Sequence, residues 1–367
     1  MNFVAVFMCV FAMLGALDRI FGNRFGLGKE FERGFNLFGT MALSMIGMII
    51  LAPAIANLLK PVFDFTANTL GIDPSIIPAS VFANDMGGAP LASEIANDAK
   101  IGGFNALVVS SMMGATISFT VPFALSAVKK EQHEGVLLGF LCGIVTIPIG
   151  CFISGLILGI GLLPLIINLL PLIILAGIIA AGLILCPKVC VKIFSILGLF
   201  MKILITFGLA VGILHKLTGY ELIHGLISEQ YGDIITEGAL VCFNATVVMA
   251  GAFPFMFILG KLLKTPLKKL GEKTGINETS ALGFISTLAT NVTTFGMMED
   301  MDRKGTVLNS AFAVSAAFTF AGHLAFTLSF DSSYIAPVII GKIISGIASL
   351  LVAVIIYKRT PAKKATV

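Results

Sequence analysis

A chain of 367 residues that is 57% hydrophobic and only 12% charged, with a mean hydropathy of +1.00, has too little polar surface to cover itself in water, which excludes a soluble globular domain. The net charge of +4 gives no basis for a nucleic-acid partner, and the positions of the cations say more than their sum. The sequence is expected to form an all-α polytopic membrane protein with the lipid bilayer as its solvent.

Apolar runs of about 20 residues recur from Phe3 to Tyr357, each long enough to cross a hydrocarbon core of roughly 30 Å at about 1.5 Å per residue, whereas β-barrel strands are half as long and alternate in polarity. The first run, Asn2 to Leu17, has no basic stretch before it and no small-residue cleavage site after it, and reads as a retained span. In chain order the predicted spans are 3–21 and 37–59, then 104–128 and 136–158, a linking span at 162–185, then 193–214 and 240–263, and finally 307–330 and 334–357. Between them lie two shorter, less apolar segments, 75–96 and 279–298. The organisation is a first membrane repeat over 1–161, a linking helix over 162–186 and a second repeat over 187–367. The six cysteines lie in or at the ends of apolar runs with no CxxC and are expected to be buried thiols.

The repeat rests on landmarks recurring at an offset close to 204 residues, as from Gly47 to Gly251. Leu58-Leu59-Lys60-Pro61 matches Leu262-Leu263-Lys264 with Pro266 behind it, and Gly71-Ile72-Asp73 matches Gly275-Ile276-Asn277. Ala83-Asn84-Asp85 matches Ala289-Thr290-Asn291, and Asn105 with Ser111 matches Asn309 with Ser315.

Loop cations should collect on the cytoplasmic side. If both short segments cross the membrane, the loop Lys and Arg divide 12 to 10; if both are re-entrant, the division is 19 to 3, with Lys60, Lys100 and Lys216 as the three. The second count predicts nine crossings of the cytoplasmic membrane, an outside N-terminus, a cytoplasmic C-terminus and two inverted repeats. That layout is expected of a secondary transporter with a midplane site and alternating access.

Polar groups inside apolar segments are the first functional candidates. Asp85 leads them: it precedes Gly87-Gly88, where the backbone can leave the helix and approach a ligand, and its carboxylate suits a small cation. A cap on the following short helix is the structural reading of the same residue. Its counterparts Thr290 and Asn291 offer neutral donors and acceptors for a hydroxyl, and Phe295 offers a π face for an ammonium or a packing surface. Asn84 stands beside Asp85, and Asn105, Ser111, Asn309 and Ser315 dot the spans that follow, where packing is the competing role. His323 reads equally as a proton-linked switch or a hydrogen-bonded core residue. Lys202 and Lys342 are placed to snorkel or to pair with a carboxylate, and Glu299, Asp300 and Asp302 to form solvated pairs with Arg303 and Lys304. The glycine-rich stretch from Gly22 to Glu30 has Glu30 where a phosphate loop needs Ser or Thr. No metal or cofactor site and no hydrolase signature is present in the sequence.

Asn84-Asp85-Met86-Gly87-Gly88, Ser111-Met112-Met113-Gly114-Ala115-Thr116, Gly143-Ile144-Val145-Thr146-Ile147-Pro148-Ile149-Gly150-Cys151, Phe295-Gly296-Met297-Met298 and Phe312-Ala313-Val314-Ser315-Ala316-Ala317-Phe318 before His323-Leu324 together resemble the ethanolamine-utilisation permease family (EutH) in order and spacing. The resemblance covers essentially the whole chain. It implies a bacterial permease that takes up ethanolamine to feed its breakdown, with an acid for the ammonium and neutral polar groups for the hydroxyl. A carrier of another small amine or solute, a small-solute channel and a membrane-embedded enzyme stay open as alternatives, as does assembly into a homo-oligomer.

Overall fold

The computed structural model describes residues 3–220, 222 and 234–359; Asn2 lies outside them, as do Lys363 and Lys364, two of the nineteen loop cations counted above. The described residues are almost wholly helical and contain no strand. The helices are α1 (Phe3–Ile20), α2 (Leu27–Leu70), α3 (Ile76–Val81), α4 (Gly88–Ile95), α5 (Ala99–Ala127), α6 (Lys130–Ile157) and α7 (Leu162–Leu185). After them come α8 (Pro187–Thr218), α9 (Ile234–Thr274), α10 (Glu278–Ala289), α11 (Asn291–Gly296), α12 (Arg303–Ala316), α13 (Gly322–Phe330) and α14 (Ile335–Arg359).

Among the described residues, 8 helices are long and apolar enough to cross a membrane. The predicted span 307–330 is present as well, but as two pieces, α12 and α13, divided by a turn at 317–321. The helix α2 runs for 44 residues, about 66 Å at 1.5 Å per residue, roughly twice the hydrocarbon thickness. The expected 37–59 is therefore only its lipid-length middle, and Pro53 and Pro61 lie inside it. The buried-thiol expectation holds for Cys142, Cys151 and Cys242; Cys190 is half-buried, and Cys9 and Cys186 are on the protein's outer surface. An apolar run in lipid has two kinds of apolar neighbour, and only one of them is protein.

The helices sort into two bundles that cut across the sequence halves. One is α1, α2, α8 and α9; its crossings are close because Gly34, Gly47 and Gly251 sit where a Cβ would strike the backbone of Ala250, Ile205 and Met8. The other is built on α5, α6, α12 and α14, with Gly139 against Val307 and Gly150 against Gly341. A polar seam runs through it: Ser315 Oγ lies 2.6 Å from Ser345 Oγ, and Ser345 Oγ donates to Thr146 O at 3.0 Å.

Both short segments double back on themselves, and the feet of each hairpin are tied by matching side chains. In the first, Asp73 accepts from Ser75 N, Ser75 Oγ, Asn97 N and Asp98 N, Asp98 caps α5, and Asn105 Nδ2 donates to Ser75 Oγ at 2.8 Å. In the second, Asp302 accepts from Asn277 N, Ser280 Oγ and Gly305 N, and Asn309 Nδ2 donates to Ser280 O at 2.8 Å. Gly71 and Gly275 turn the chain into each hairpin at φ 64° and 70°, where only glycine is unstrained. Asp302 thus caps α12 and clamps a hairpin instead of pairing in solvent, while Arg303 bonds Glu134 and Glu299 bonds Lys129.

The feet lie at opposite groups of loops. The first hairpin's foot meets the 158–161 and 331–334 turns, with Lys100 Nζ donating to Gly159 O at 2.9 Å and Tyr334 Oη to Lys100 O at 3.2 Å. The second meets the 128–134 turn through Lys129, Glu134 and Gln132, whose Nε2 donates to Met298 O. The glycine-rich stretch after α1 does form an anion-binding nest, but its anion is internal: Asp18 accepts from Phe25 N at 2.9 Å and Gly28 N at 3.0 Å.

Candidate functional site

The two hairpin tips meet the interface between the bundles. The first tip is a single 3-10 turn, Asn84–Met86, followed by Gly87 at φ 94°, which fits against Met48 of α2 so closely that a Cβ would overlap its side chain. Gly88 and Gly114 bring α4 and α5 against the carbonyls of Phe82 and Ala83, and Ala83 N donates to Ser118 Oγ at 3.0 Å. The second tip is the sharp turn between α10 and α11, where Thr290 caps α11 through Val292 N. The turn at 317–321 is held open beside it: Phe318, at φ 61°, donates from its N–H to Thr287 O at 3.1 Å, and Phe320 N to Leu288 O at 2.9 Å. Thr116 Oγ1 of α5 donates to Val314 O at 2.8 Å where α5 and α12 cross, and Asn291 Nδ2 of the second tip donates to Thr120 Oγ1 at 3.0 Å.

These elements enclose a cavity of about 310 Å³. Asp85 and Met86 come from the first tip, Thr290 and Val292 from the second, Phe318 and His323 from the helix break, and Ala115 and Phe119 from α5. The facing bundle supplies Met41, Ser44, Met249 and Phe253. The lining is mostly apolar and aromatic, with one carboxylate, a form usual for sites that hold a small molecule. Asp85 does not cap α4: that helix begins after Gly87 with no side-chain cap, which leaves the carboxylate free to face the cavity.

A second cavity of about 340 Å³ adjoins the first and shares Arg33, Phe253, Ala289 and Thr290 with it. It is lined by Glu30, Lys261 and Lys264. Arg33 stands at the junction, with its guanidinium 4.7 Å from the Phe253 ring centroid, 3.3 Å from Glu30 and 3.3 Å from Thr293 Oγ1. At the foot of the same hairpin, Lys268 beside Glu278 holds that carboxyl below its ordinary range.

Of the residues singled out in the sequence, Asp85 and Thr290 line the cavity. Asn84 is wholly buried next to Asp85, and among the described residues neither end of its amide has a hydrogen-bond partner and Asn291 Oδ1 has none either. Gly87 and Gly88 shape the tip and are themselves packed under Met48 and the Phe82 carbonyl. Phe295 lies in an aromatic cluster, 6.0 Å from Phe140 and 6.3 Å from Phe123 between ring centroids, and is outside the cavity lining. Asn105 and Asn309 belong to the hairpin feet, Ser315 to the polar seam, and Ser111 bonds within its own helix to Val108 O.

Sequence reading missed Phe119, Phe253 and Phe318, since 30 phenylalanines give no means of choosing among them. Lys342, which the sequence left open to snorkelling or to pairing with a carboxylate, does not snorkel, and among the described residues no carboxylate lies within ion-pair distance of it. Its side chain is wholly buried, and Nζ lies 2.7 Å from Ser111 O and 3.0 Å from His323 Nδ1.

Residues 1–356 match the family described as ethanolamine utilisation protein, EutH. The chain is 41% identical over 356 residues to the protein named probable ethanolamine permease EutH of Listeria monocytogenes serotype 1/2a, covering 97% of this chain and 94% of that one. It is 36% identical over 388 residues to the protein of the same name from Salmonella typhimurium, covering 97% and 95%. An uncharacterized protein of Bacillus subtilis, YxeR, is 36% identical over 362 residues, covering 99% and 95%. No solved structure matches the chain. With a match over nearly its whole length and relatives of similar size, the chain belongs to the EutH family and is a multi-pass membrane transporter.

Proposed function

We propose that the protein takes up ethanolamine across the cytoplasmic membrane by alternating access, with Asp85 receiving the ammonium in the cavity between the bundles. The observation that carries this reading is the single carboxylate, Asp85, in a mostly apolar and hydroxyl-bearing lining whose other ionisable groups are His323 and, at the mouth, Arg33. Phe119, Phe253 and Phe318 add π faces suited to a cation, and Thr290 with Ser44 can bond the hydroxyl. The relatives named as ethanolamine permeases supply the choice of amine.

The two bundles supply a way to alternate. Within each bundle the helices cross on glycine with no room to slide, whereas the surface between them is rich in Met41, Met48, Met86 and Met249, whose unbranched side chains repack readily. A relative movement of the bundles would carry both hairpin tips past α2 and α9. The adjoining vestibule with Lys261 and Lys264 lies at the end that the cation distribution assigns to the cytoplasm, so the described conformation reads as open inward. A cavity of about 310 Å³ is oversized for a molecule of four heavy atoms, as an open state should be.

Uptake of labelled ethanolamine into proteoliposomes tests the reading, with choline and other small amines as competitors. Asp85→Asn should raise the half-saturating concentration at least ~30-fold, the equivalent of losing about 2 kcal/mol from a buried charge pair. Normal uptake by that variant removes Asp85 from its role, and flux that neither saturates nor shows counterflow replaces the carrier with a channel.

A further inference from the structure

The wholly buried Lys342 has only two polar partners among the described residues, the carbonyl of Ser111 and the imidazole of His323. Neither carries a negative charge. An ammonium donating to His323 Nδ1 makes that nitrogen the acceptor, so the proton of a neutral ring resides on Nε2, and His323 adds no charge of its own. Among the described residues no carboxylate lies within ion-pair distance of Nζ. The carboxylate nearest in the architecture is Asp85, which lines the same cavity as His323, the residue that Lys342 bonds. The remaining charge on the cavity wall, Arg33, is at the mouth and is bonded to Glu30.

The centre of this bundle therefore holds one acidic group, at the first hairpin tip, and one basic group, on α14 behind the helix break. A lone charge at membrane depth is costly to move through an apolar surrounding, and two opposite ones on the same rigid unit are much less so. We propose that Lys342 is the resident counter-cation of Asp85, the group that keeps the unloaded site neutral and so lets the empty carrier reorient. This rests on the transport reading above. Loaded, the unit carries Asp85, Lys342 and the substrate ammonium, a net charge of plus one; empty, it carries none. Without Lys342 the assignment reverses: the loaded unit becomes neutral, and the empty one carries the unpaired carboxylate.

Lys342→Gln removes the charge and keeps an amide donor, one atom shorter in reach, toward Ser111 O and His323, so net uptake and exchange can be compared in the same proteoliposomes. Net uptake, which needs the empty carrier to return, should fall roughly tenfold or more, while exchange of labelled for unlabelled ethanolamine, which never uses the empty form, stays within about twofold of the wild type. Equal loss of both would make Lys342 a structural residue, and full retention of net uptake would overturn the proposal. A second arm needs no substrate: thermal unfolding in detergent of Asp85→Asn, Lys342→Gln and the double variant. Each single change should lower the transition and the double should recover part of the loss; strict additivity refutes the charge coupling. If the wild type carries no ethanolamine, the functional reading falls, and the second arm alone decides whether Lys342 and Asp85 balance each other.

Discussion

Gly341, next to Lys342 in α14, offers a quantitative test of the packing that holds the site bundle together. A Cβ added there would overlap Ser154 Oγ of α6 and lie 2.8 Å from Gly150 O. Carbon atoms in normal contact sit about 3.5–4 Å apart, so α14 would have to retreat from α6 by roughly 1 Å. Ser154 cannot turn aside freely, since its hydroxyl donates to Pro337 O at 2.8 Å and Gly150 O at 2.9 Å. Overpacking of this kind costs about 1–3 kcal/mol, and disturbing the hydroxyl adds about 1 more. Replacing a helical glycine by alanine returns up to about 1 kcal/mol of backbone entropy, leaving a net loss of about 1–3 kcal/mol.

The chain has no tryptophan, but Cys142, Cys151 and Cys242 are buried and free, so unfolding in detergent is followed with a thiol-reactive dye. Gly341→Ala should lower the transition by ~1–4 °C. Gly39→Ala, in α2 with nothing within 4 Å of the new methyl, should leave the transition unchanged or raise it slightly. Ser154→Ala combined with Gly341→Ala should be less damaging than the sum of the two, because the first removes the atom the second collides with. A Gly341→Ala protein as stable as the wild type, or additive effects in the double variant, would refute the close α6–α14 crossing and with it the placement of Lys342.

Other expectations follow from the same geometry. Asn105→Ala and Asn309→Ala should each cost about 1–3 kcal/mol in the dye assay and by similar amounts, because each strips a buried bond from the foot of a hairpin. Phe318→Leu, at the cavity wall, should raise the half-saturating ethanolamine concentration about 2–10-fold through loss of a π face, while Phe295→Leu should leave it unchanged. Cysteines placed at Lys60 and Lys100 should react with an impermeant thiol reagent from one side of the membrane, and cysteines at Lys130 and Lys304 from the other; reaction of the first two from opposite sides would rule out the re-entrant arrangement of the first hairpin.

What the sequence carried was whatever depends on composition or on glycine. Apolar runs located every long helix, and their ends were missed only where charged turns continue the helix beyond lipid, as at both ends of α2. The pairs Gly71-Ile72-Asp73 and Gly275-Ile276-Asn277 were visible as landmarks and are the entrances to the two hairpins. The break at 317–321 had no such mark, since Ala317, Phe318, Thr319, Phe320 and Ala321 include neither glycine nor proline; it is held open by backbone bonds from α10, which are tertiary. The partners of Lys342 were hidden for the same reason. A lysine in an apolar run looks alike whether it reaches outward to headgroups or inward to a carbonyl 231 positions away, and only the crossing of α14 over α5 decides.

The two hairpins contribute differently to the cavity in a way that neither composition nor landmarks display. At the feet they are chemically alike: an Asp collecting backbone N–H groups, a Ser, and an Asn from the next helix. Those contacts fix where a hairpin stands and say nothing about what it binds. At the tips they differ. The first presents a carboxylate on a single 3-10 turn, and the second presents Thr290 and Asn291, whose Nδ2 is spent on Thr120. The following helices differ too, since α5 stays continuous by loosening into π-helical turns over Asn105–Gly114 and Thr116–Thr120, whereas its counterpart breaks and delivers His323 to the cavity. Like feet with unlike tips give a cavity with a carboxylate at one end and hydroxyl groups beside Arg33 at the other, which is the polarity an amino alcohol would need to bind in a single orientation. In the proposed cycle that orientation points the ammonium at the tip packed on Met48 and the hydroxyl at the tip beside Arg33, so the charged end of the substrate would be the last to leave the site for the vestibule.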